Sequence, residues 1–551
     1  MALHIETNSM ASPDHYSSKL LNHLGLVSGM FDELGIGTTI DRLIPQDQEK
    51  RNVSVGQAIK AMVLNGLGFS KRALYLTPQF FQDKPVEMLI GKGVEAEHLN
   101  DDILGRALDK IYTYGPDLLY PQLALPAVKH LGLLCRFGHL DSTSFHVDGQ
   151  YNRGQNETEE GVINITQGYS RDHRPDLNQV VLQLICERQA GIPLLMESLS
   201  GNNSDKDSFR DMVSTHVTQL RSDFNVEYMI ADSALYVAET LKEMNDFPWV
   251  SRVPETLVLA RDMIHSLAPD LMADRKKTSY RSLGVVYGDV KQRWVIVFSP
   301  EAYQRAHSTV NKHCLKQSQA EYKKFRELCK QDFACEADAT KALGLFQKKM
   351  KITIITNAQV IAFSRYKSKG RPVEGQTPDF YVYRIEGGIA SVPYERTRRL
   401  ERKSCFIIAT NQLDLQSLSD DELIFAYKDQ QKVERGFRFL KDPMFMASTL
   451  FLKSPKRIMA LMMVMTLCLL VYSALEYRIR ESLRKNNETF PDQKGMPISN
   501  PTSRWIFEFF SGIHVLIIAR MQVLILNLNE HHIVLLRLLG KQYETLYSGH
   551  G

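Results

Sequence analysis

Apolar residues recur at three- and four-residue spacing in the first quarter of the chain, which is typical of short amphipathic helices. Residues 54–67 and 100–112 show this spacing best, and Asn100 can cap the second helix by accepting a backbone N–H. Glycines and prolines between residues 66 and 93 separate the helices. The pattern predicts a helical region over residues 1–130, which is compatible with helix-turn-helix DNA binding and equally with a packing module.

Between residues 136 and 252 the pattern changes to short apolar runs that are typical of strands. Asp148 and Gly149 provide a turn signal after the first run. In chain order the pattern predicts three strands, a helix, a strand, a helix and a strand, at residues 137–147, 162–170, 179–187, 205–220, 226–231, from 233 onwards, and 247–253. This is the order of an α/β, ribonuclease-H-like fold with a mixed five-stranded sheet.

Residues 255–404 form a segment far longer than such a core needs, so we expect a large α+β insertion. It contains two strand-like and two helix-like segments, at residues 285–298, 380–392, 318–330 and 337–349. Its basic clusters suit DNA phosphates, although each could equally be a solvated loop. These clusters lie at residues 275–277, 367–371 and 396–403. Residues 406–411 are apolar again and return the chain to the core.

The C-terminal region is strongly apolar, and three helices are predicted there, at residues 458–475, 513–528 and 532–547. The first of these has 18 residues without a formal charge, which meets the lower length limit of a membrane span. Thr466, Cys468 and Tyr472 interrupt the run, and the chain has no second comparable segment. We therefore expect a buried core helix and no membrane contact.

A helix is also predicted over residues 420–441, because Ser419 and Glu422 have the spacing of a capping box. At 100° per residue it carries a mixed stripe that holds one carboxylate, an apolar stripe and a basic stripe. In that order, the stripes consist of Tyr427, Gln430, Glu434 and Lys441; of Ala426, Val433, Phe437 and Leu440; and of Lys428, Arg435 and Arg438. An ordinary surface helix with a solvated charged face is the alternative interpretation.

Composition narrows the choice of function classes. The net charge is only +4, so a surface that binds nucleic acid must be local. The seven cysteines include no CxxC pair, which favours a reducing compartment over a disulfide scaffold or a zinc site. No basic segment followed by an apolar run opens the chain, so we expect a cytoplasmic, nucleoid-associated protein.

The spacing of Tyr427, Glu434 and Lys441 resembles the "YREK" signature of insertion-sequence transposases of the DDE type. Gln430 stands where that family has arginine, so the phosphate contact of the arginine is in doubt. Local sequences are similar as well, at residues 138–143, 168–179, 201–205, 231–236 and 249–254. From about residue 20 to its C-terminus the chain resembles the 1634-like branch of the insertion-sequence-4 superfamily.

The resemblance implies that Asp141, Asp232 and Glu434 are the catalytic, metal-binding carboxylates. Oxygen ligands suit Mg²⁺ or Mn²⁺, and two such ions about 3.5–4 Å apart can clamp both oxygens of a phosphoryl displacement. Considered alone, Asp141 could be a polar residue at a strand edge, and Asp232 could cap the helix that follows it. Three histidines are expected to be structural or to face DNA, namely His139, His146 and His173.

Several side chains are candidates for binding DNA. The resemblance implies that Tyr427 and Lys441 hold the phosphate near the cut, with Gln430 as a weaker partner. Arg435 or Arg438 could supply the charge that Gln430 lacks. Trp294 lies beside basic residues, a combination that stacks a flipped base, although it also fits the buried face of a strand.

The expected function is cut-and-paste transposition on double-stranded DNA, namely the terminal inverted repeats and a target, by a homodimer in the synaptic complex. A catalytically silent DNA-binding regulator derived from a transposase is the alternative. The expected domains are residues 1–130, helical and DNA-binding; 131–254, core; 255–404, insertion; 405–450, core with the catalytic helix; and 451–551, helical.

Overall fold

The structure of the protein, a computed structural model, describes residues 16–45, 52–69, 74–147, 151, 160–169, 174–367, 370–371, 373–442, 452–518 and 522–548. The turn predicted at residues 148–149, His173 and part of the basic cluster at 367–371 lie outside these ranges. The chain divides into two compact units. The first comprises Met1–Ser251, Gly288–Val290 and Asp421–Gly551, and the second comprises Arg252–Tyr287 and Lys291–Asp420.

The N-terminal region is mainly helical, as its periodicity predicts. Ser54 and Gln57 form a capping box, and Asn100 Oδ1 accepts the N–H of Ile103 at 3.1 Å. A short strand precedes the helices and pairs with a strand near the C-terminus. The elements are β1 (Tyr16–Leu20), α1 (Leu24–Glu33), α2 (Ile36–Leu43), α3 (Val55–Leu67), α4 (Thr77–Phe81), α5 (Val86–Leu89), α6 (Asp101–Tyr114) and α7 (Pro116–Leu131).

A mixed sheet follows, in which β2 pairs antiparallel with β3 and parallel with β5. Its strand order in this unit is β4-β3-β2-β5-β6. The elements are β2 (Phe137–His146), β3 (Gln179–Glu187), β4 (Pro193–Ser200), α8 (Asp205–Ser222), β5 (Tyr228–Ala231), α9 (Ala238–Glu243) and β6 (Trp249–Arg252). The predicted order of strands and helices is therefore present, with two changes of position.

The strand predicted at residues 162–170 is wrong, because within its described part the backbone makes only an isolated bridge from Thr166 to Gln179. The third strand is β4, a run whose first residues are buried beneath α7. The helix predicted from residue 233 begins instead at Ala238, because residues 232–237 form turns.

In the second unit three strands lie side by side in the order β11-β8-β7, and β9 and β10 form a long antiparallel pair. The single strand predicted at residues 285–298 is a hairpin, since Gly288 and Asp289 both have φ of 59° and turn the chain. Helices α11 and α12 pack on the β9–β10 pair. The elements are α10 (Val258–Leu271), β7 (Ser279–Tyr287), β8 (Val290–Phe298), α11 (Pro300–Cys329), α12 (Glu336–Gln347), β9 (Thr353–Arg365), β10 (Phe380–Ser391), α13 (Pro393–Ser404) and β11 (Cys405–Thr410).

The last part of the chain returns to the first unit. The helix predicted at residues 513–528 is wrong, because β14 and β15 form a hairpin there and β14 pairs with β1. The elements are α14 (Asp420–Lys428), α15 (Gln431–Leu440), α16 (Pro455–Lys485), β12 (Phe490–Pro491), β13 (Pro497–Ile498), α17 (Ser503–Phe509), β14 (His514–Ile518), β15 (Gln522–Leu526), α18 (Glu530–Leu539) and α19 (Lys541–Leu546).

Helix α16 is the centre of the first unit. It packs against α1, α3, α6, α7, α15, α17, α18 and β4. It is the one helix among the described residues that is long and apolar enough to cross a membrane, and 89% of its most apolar window is buried. The prediction of a buried core helix is therefore confirmed.

Candidate active site at strand β2 and helix α15

Asp141 lies in β2, the middle strand of the five in the first unit. Its carboxylate is 9% exposed, and its Oδ1 accepts the backbone N–H of Ser142 at 2.8 Å. Asp141 is paired with Leu184 of β3, whereas the pairing of β2 with β5 ends one residue earlier, at Leu140.

Asp232 directly follows β5, the parallel neighbour of β2. In the parallel register Leu140 is paired with Ala231, so Asp141 and Asp232 are the next residues of adjacent strands. The Oδ1 of Asp232 accepts the N–H of Ala234 at 2.8 Å, and its carbonyl accepts the hydroxyl of Ser251 at 2.8 Å. Helix α9 has Val237 as its N-cap, so the capping alternative for Asp232 is wrong.

The side chain of His139 identifies which face of the sheet Asp141 occupies. Residues two apart in a strand share a face, so His139 and Asp141 lie on the same side of β2. The ring of His139 is buried, and its Nδ1 lies 2.9 Å from the Oε1 of Gln430, next to α15. Asp141 therefore faces the side of the sheet on which α15 packs.

The helix predicted over residues 420–441 is in fact two helices, α14 and α15, with a break at Asp429 and Gln430. At the break Asp429 forms an ion pair with Arg188, at 2.6 Å, just after β3. The amide of Gln430 donates to the carbonyl of Leu140 at 3.0 Å. The break between α14 and α15 thus lies where the chain contacts β2 through Gln430 and the end of β3 through Asp429.

Helix α15 runs alongside β2 in the same direction. It starts beside His139 and Leu140, and at its end the ammonium of Lys441 lies 6.0 Å from the centre of the Phe145 ring. Four helical residues advance by about 6 Å, which is roughly the length of two strand residues. Glu434 therefore lies level with Asp141, and its side chain is exposed.

The stripes predicted for this helix are largely present. All four apolar residues are buried, at 0–5% exposure, and Arg435 and Arg438 are exposed. Arg435 lines a cleft of about 900 Å³ together with Gly436 and Phe439. Arg438 follows Glu434 by one turn and shares its side of the helix. Tyr427 and Lys441 are half-buried at the two ends of the segment.

Gln430 does not occupy the position expected of a phosphate ligand. Its side chain is only 8% exposed, and both polar atoms of its amide are bound to β2. The expectation that Gln430 faces DNA is corrected, because the nearby buried donor and acceptor hold the amide inside the protein.

Trp294 is also buried rather than available to a base. It lies in β8 with 0% exposure, and its indole N–H donates to the Oε1 of Gln292 at 3.0 Å. Phenylalanine, valine and isoleucine side chains of the same strand are buried around it. The expected flipped-base role is therefore wrong, and the alternative of a buried strand position is confirmed.

Within the described residues no group of three acidic, histidine or cysteine side chains lies close enough to hold one metal ion. The carboxylates are arranged differently, with Asp141 beside Asp232 across the parallel pair and level with Glu434 on α15. Two ions that share one carboxylate need such pairs, and hard oxygen donors suit Mg²⁺ or Mn²⁺. The described residues thus offer donor chemistry that suits divalent ions, without three such groups at one point.

Two residues at this site were not assigned a role from the sequence. His139 was expected only to be structural or DNA-facing, yet its position two residues before Asp141 placed it on the same strand face. Arg188 carried no sequence signal, because its partner Asp429 is 241 residues away.

Two family models match consecutive parts of the chain. The family described as "Transposase DDE domain" matches residues 136–471. The family described as "Domain of unknown function (DUF4277)" matches residues 16–125. No curated protein matches the chain.

Solved structures also match. One is described as "Cryo-EM structure of piggyBac transposase synaptic complex with hairpin DNA (SNHP)". It has 8% sequence identity and a TM-score of 0.38, and the match covers 88% of this chain and 79% of that chain.

Proposed function

The chain belongs to the Transposase DDE domain family, and from this premise we propose that it carries out cut-and-paste transposition. In this proposal it cleaves DNA at the ends of its own element and transfers the freed 3′-hydroxyl ends into target DNA. The YREK-like spacing of Tyr427, Glu434 and Lys441 supports the further proposal that it is a member of the 1634-like branch of the insertion-sequence-4 superfamily.

One observation carries the proposal. Asp141 and Asp232 are adjacent across a parallel strand pair, and Glu434 lies level with Asp141 on the helix that covers that face. Carboxylate oxygens are ligands that suit divalent ions. We propose that Asp141, Asp232 and Glu434 would hold the Mg²⁺ or Mn²⁺ ions, two for each active site.

The bound ions would supply charge neutralisation at the phosphate and lower the pKa of the attacking hydroxyl group. Binding of the phosphate would then depend on the side chains of α15 and of Lys441, the residue that follows it. Arg438 and Lys441 extend a positive margin beside Glu434 that can hold the phosphate at the cut. Tyr427 lies in α14, seven residues before Glu434. Its hydroxyl can donate a hydrogen bond to a phosphate oxygen.

The second unit carries a basic surface that supports DNA binding. Helix α13 has five basic and two acidic residues, and it packs on α11. Arg396 donates to Asn311 at 2.7 Å, and Arg399 donates to Gln317 at 3.0 Å, which fixes the two helices together. Arginines arranged along a rigid helix pair suit the phosphates of a duplex.

We propose double-stranded DNA as the partner, namely terminal inverted repeats and target. Joining two element ends to one target requires two active sites, which supports a homodimer in the synaptic complex. Such a protein would work in the cytoplasm on the nucleoid.

The test uses Asp141→Asn, Asp232→Asn and Glu434→Gln in the full chain, with DNA that carries the element's ends. Each variant is expected to lose Mg²⁺-dependent cleavage and to retain end binding in a gel-shift assay. Asp223→Asn and Glu239→Gln change exposed carboxylates elsewhere and serve as matched controls. Retained cleavage in any of the three variants contradicts the assignment.

A catalytically silent regulator is the second candidate. It predicts that the native chain binds end DNA but never cuts it, with either Mg²⁺ or Mn²⁺. The same assay therefore separates the two functions.

A further inference from the structure

The amide side chain of Gln430 is a buried bridge between the helix and the strand that carry two of the proposed carboxylates. Its Nε2 lies 3.0 Å from the carbonyl oxygen of Leu140, and its Oε1 lies 2.9 Å from Nδ1 of His139. The side chain is 8% exposed, and that of His139 is 1% exposed. Both hydrogen bonds are therefore formed away from water.

The chemistry of the partners fixes the direction of each bond. A carbonyl oxygen only accepts, so the amide of Gln430 donates to Leu140 through Nε2. Its Oε1 must then accept a hydrogen bond from Nδ1–H of His139, so that the ring carries a proton on Nδ1. An arginine could donate to Leu140 but offers no acceptor to His139. Glutamine at this position therefore matches a histidine two residues before Asp141.

The two hydrogen bonds also connect the carboxylates through the backbone. The Leu140 carbonyl belongs to the peptide bond that leads into Asp141. The backbone oxygen of Gln430 accepts the N–H of Glu434 at 3.3 Å. One residue thus binds the peptide of Asp141 with its side chain and the backbone of Glu434 with its main chain.

A second contact holds the same junction in place. Asp429 pairs with Arg188 at 2.6 Å, with side chains only 17% and 20% exposed. The guanidinium of Arg188 also lies 5.3 Å from the ring centre of Phe137 in β2. The start of α15 is consequently held against the sheet at Asp429 as well as at Gln430.

We propose that Gln430 is a positioning residue that fixes the spacing between Asp141 and Glu434 and thereby sets the affinity for divalent ions. This rests on the proposed function, because it takes those two carboxylates as ligands. Gln430 is then not a weakened phosphate contact. Its effect on DNA is indirect, through the geometry of the carboxylates.

The test measures Mn²⁺ binding to the full-length protein directly, by electron paramagnetic resonance, beside cleavage and binding of end DNA. Gln430→Leu removes both hydrogen bonds, and Gln430→Glu keeps the shape and the acceptor but loses the donor to Leu140. We expect Gln430→Leu to weaken Mn²⁺ binding about 10- to 100-fold, as for the loss of a residue that orients a ligand. Gln430→Glu should fall between it and the wild type, and end-DNA affinity should stay within about twofold.

Gln183 provides a matched control. It lies in β3 with 0% exposure, and its amide donates to the carbonyl of Ser208 at 3.2 Å. It is paired with Ser142, so it faces the opposite side of the sheet from Asp141. Gln183→Leu should lower the thermal stability while leaving Mn²⁺ binding unchanged.

Each outcome decides a separate question. Wild-type Mn²⁺ affinity in Gln430→Leu, or in Gln430→Glu if the leucine variant does not fold, overturns the positioning role. An equal loss in Gln183→Leu also overturns it, because general loosening then explains the effect. Unchanged Mn²⁺ binding in Asp141→Asn overturns the proposed metal site itself.

Discussion

Arg438 follows Glu434 by one turn of α15, and both side chains are exposed on the same side of the helix. Arg435 points about 100° away from Glu434 and lines a cleft with Phe439 and Tyr472. The two arginines that could replace the charge missing at position 430 are therefore not equivalent. Arg438 is the one beside the carboxylate.

This difference predicts unequal effects of removing each arginine. Arg438→Ala should slow cleavage of end DNA by about 100-fold, because one preorganised donor to the reacting phosphate is lost. Arg435→Ala should slow it by less than about tenfold. Single-turnover cleavage rates at saturating DNA measure both. An equal or larger loss in Arg435→Ala would place the phosphate on the cleft side of α15.

Trp294 provides a prediction about stability rather than DNA binding. Trp294→Phe removes the indole N–H that donates to the buried Gln292, and the smaller ring leaves a void beside the strand. The free energy of unfolding should therefore fall by about 1–3 kcal/mol. Urea denaturation measures this change. Affinity for DNA with an unpaired base should stay unchanged, and a selective loss of that affinity would restore the base-stacking role.

Asp117 makes stability depend on pH. Burial, followed by the nearby Glu197 carboxylate, raises the pKa of Asp117 to about 7. Oδ1 of Asp117 and Oε2 of Glu197 have no hydrogen-bond partner within the described residues. The pKa of Asp117 is higher in the folded than in the unfolded chain. The protonated carboxyl therefore contributes its full share of the free energy of unfolding below about pH 4, and this contribution is lost as the pH rises through 7.

Asp117→Asn should therefore raise the melting temperature at pH 8 and change it little at pH 4. The gain is at most about 4 kcal/mol, at about 1.36 kcal/mol for each pKa unit. Asp223→Asn, at an exposed carboxylate, is the control. A lower melting temperature of Asp117→Asn at pH 8 would contradict a raised pKa.

The long apolar helix α16 provides the last prediction. Leu467→Ala should reduce the free energy of unfolding by about 2–5 kcal/mol, because Leu467 is 0% exposed and its removal leaves a cavity. The purified chain should stay in the aqueous phase when it is partitioned against detergent. Recovery of the folded wild-type chain in the detergent phase would mean that α16 is accessible to lipid.

Some of the fold could be predicted because the signal is local. The amphipathic helices at residues 55–67 and 101–114 carry both their periodicity and their caps in the sequence. The apolar stripe of α15 is likewise a property of spacing alone. The strand that contains Asp141 could be predicted from its alternating pattern, and the strand before Asp232 from its short apolar run.

Other elements could not be predicted because their partners are distant in sequence. Residues 514–518 and 522–526 pair with each other as strands, and β1, almost 500 residues earlier, pairs with the first of them. Val162, Ile163 and Ile165 are buried, yet β3 pairs with β4 instead. An apolar run shows that a segment is buried, but not which segment completes its hydrogen bonds.

The sequence by itself determined which residues are apolar, charged or able to bind a metal ion, and at what spacing they occur along a helix or strand. Only the tertiary structure decided which of the polar groups face water. Gln430 is bound inside because His139 and Leu140, about 290 residues away, offer a donor and an acceptor, whereas Glu434, one turn later, has an exposed carboxylate. Burial of a polar group is favourable only where such partners meet it, and those partners are brought together by folding.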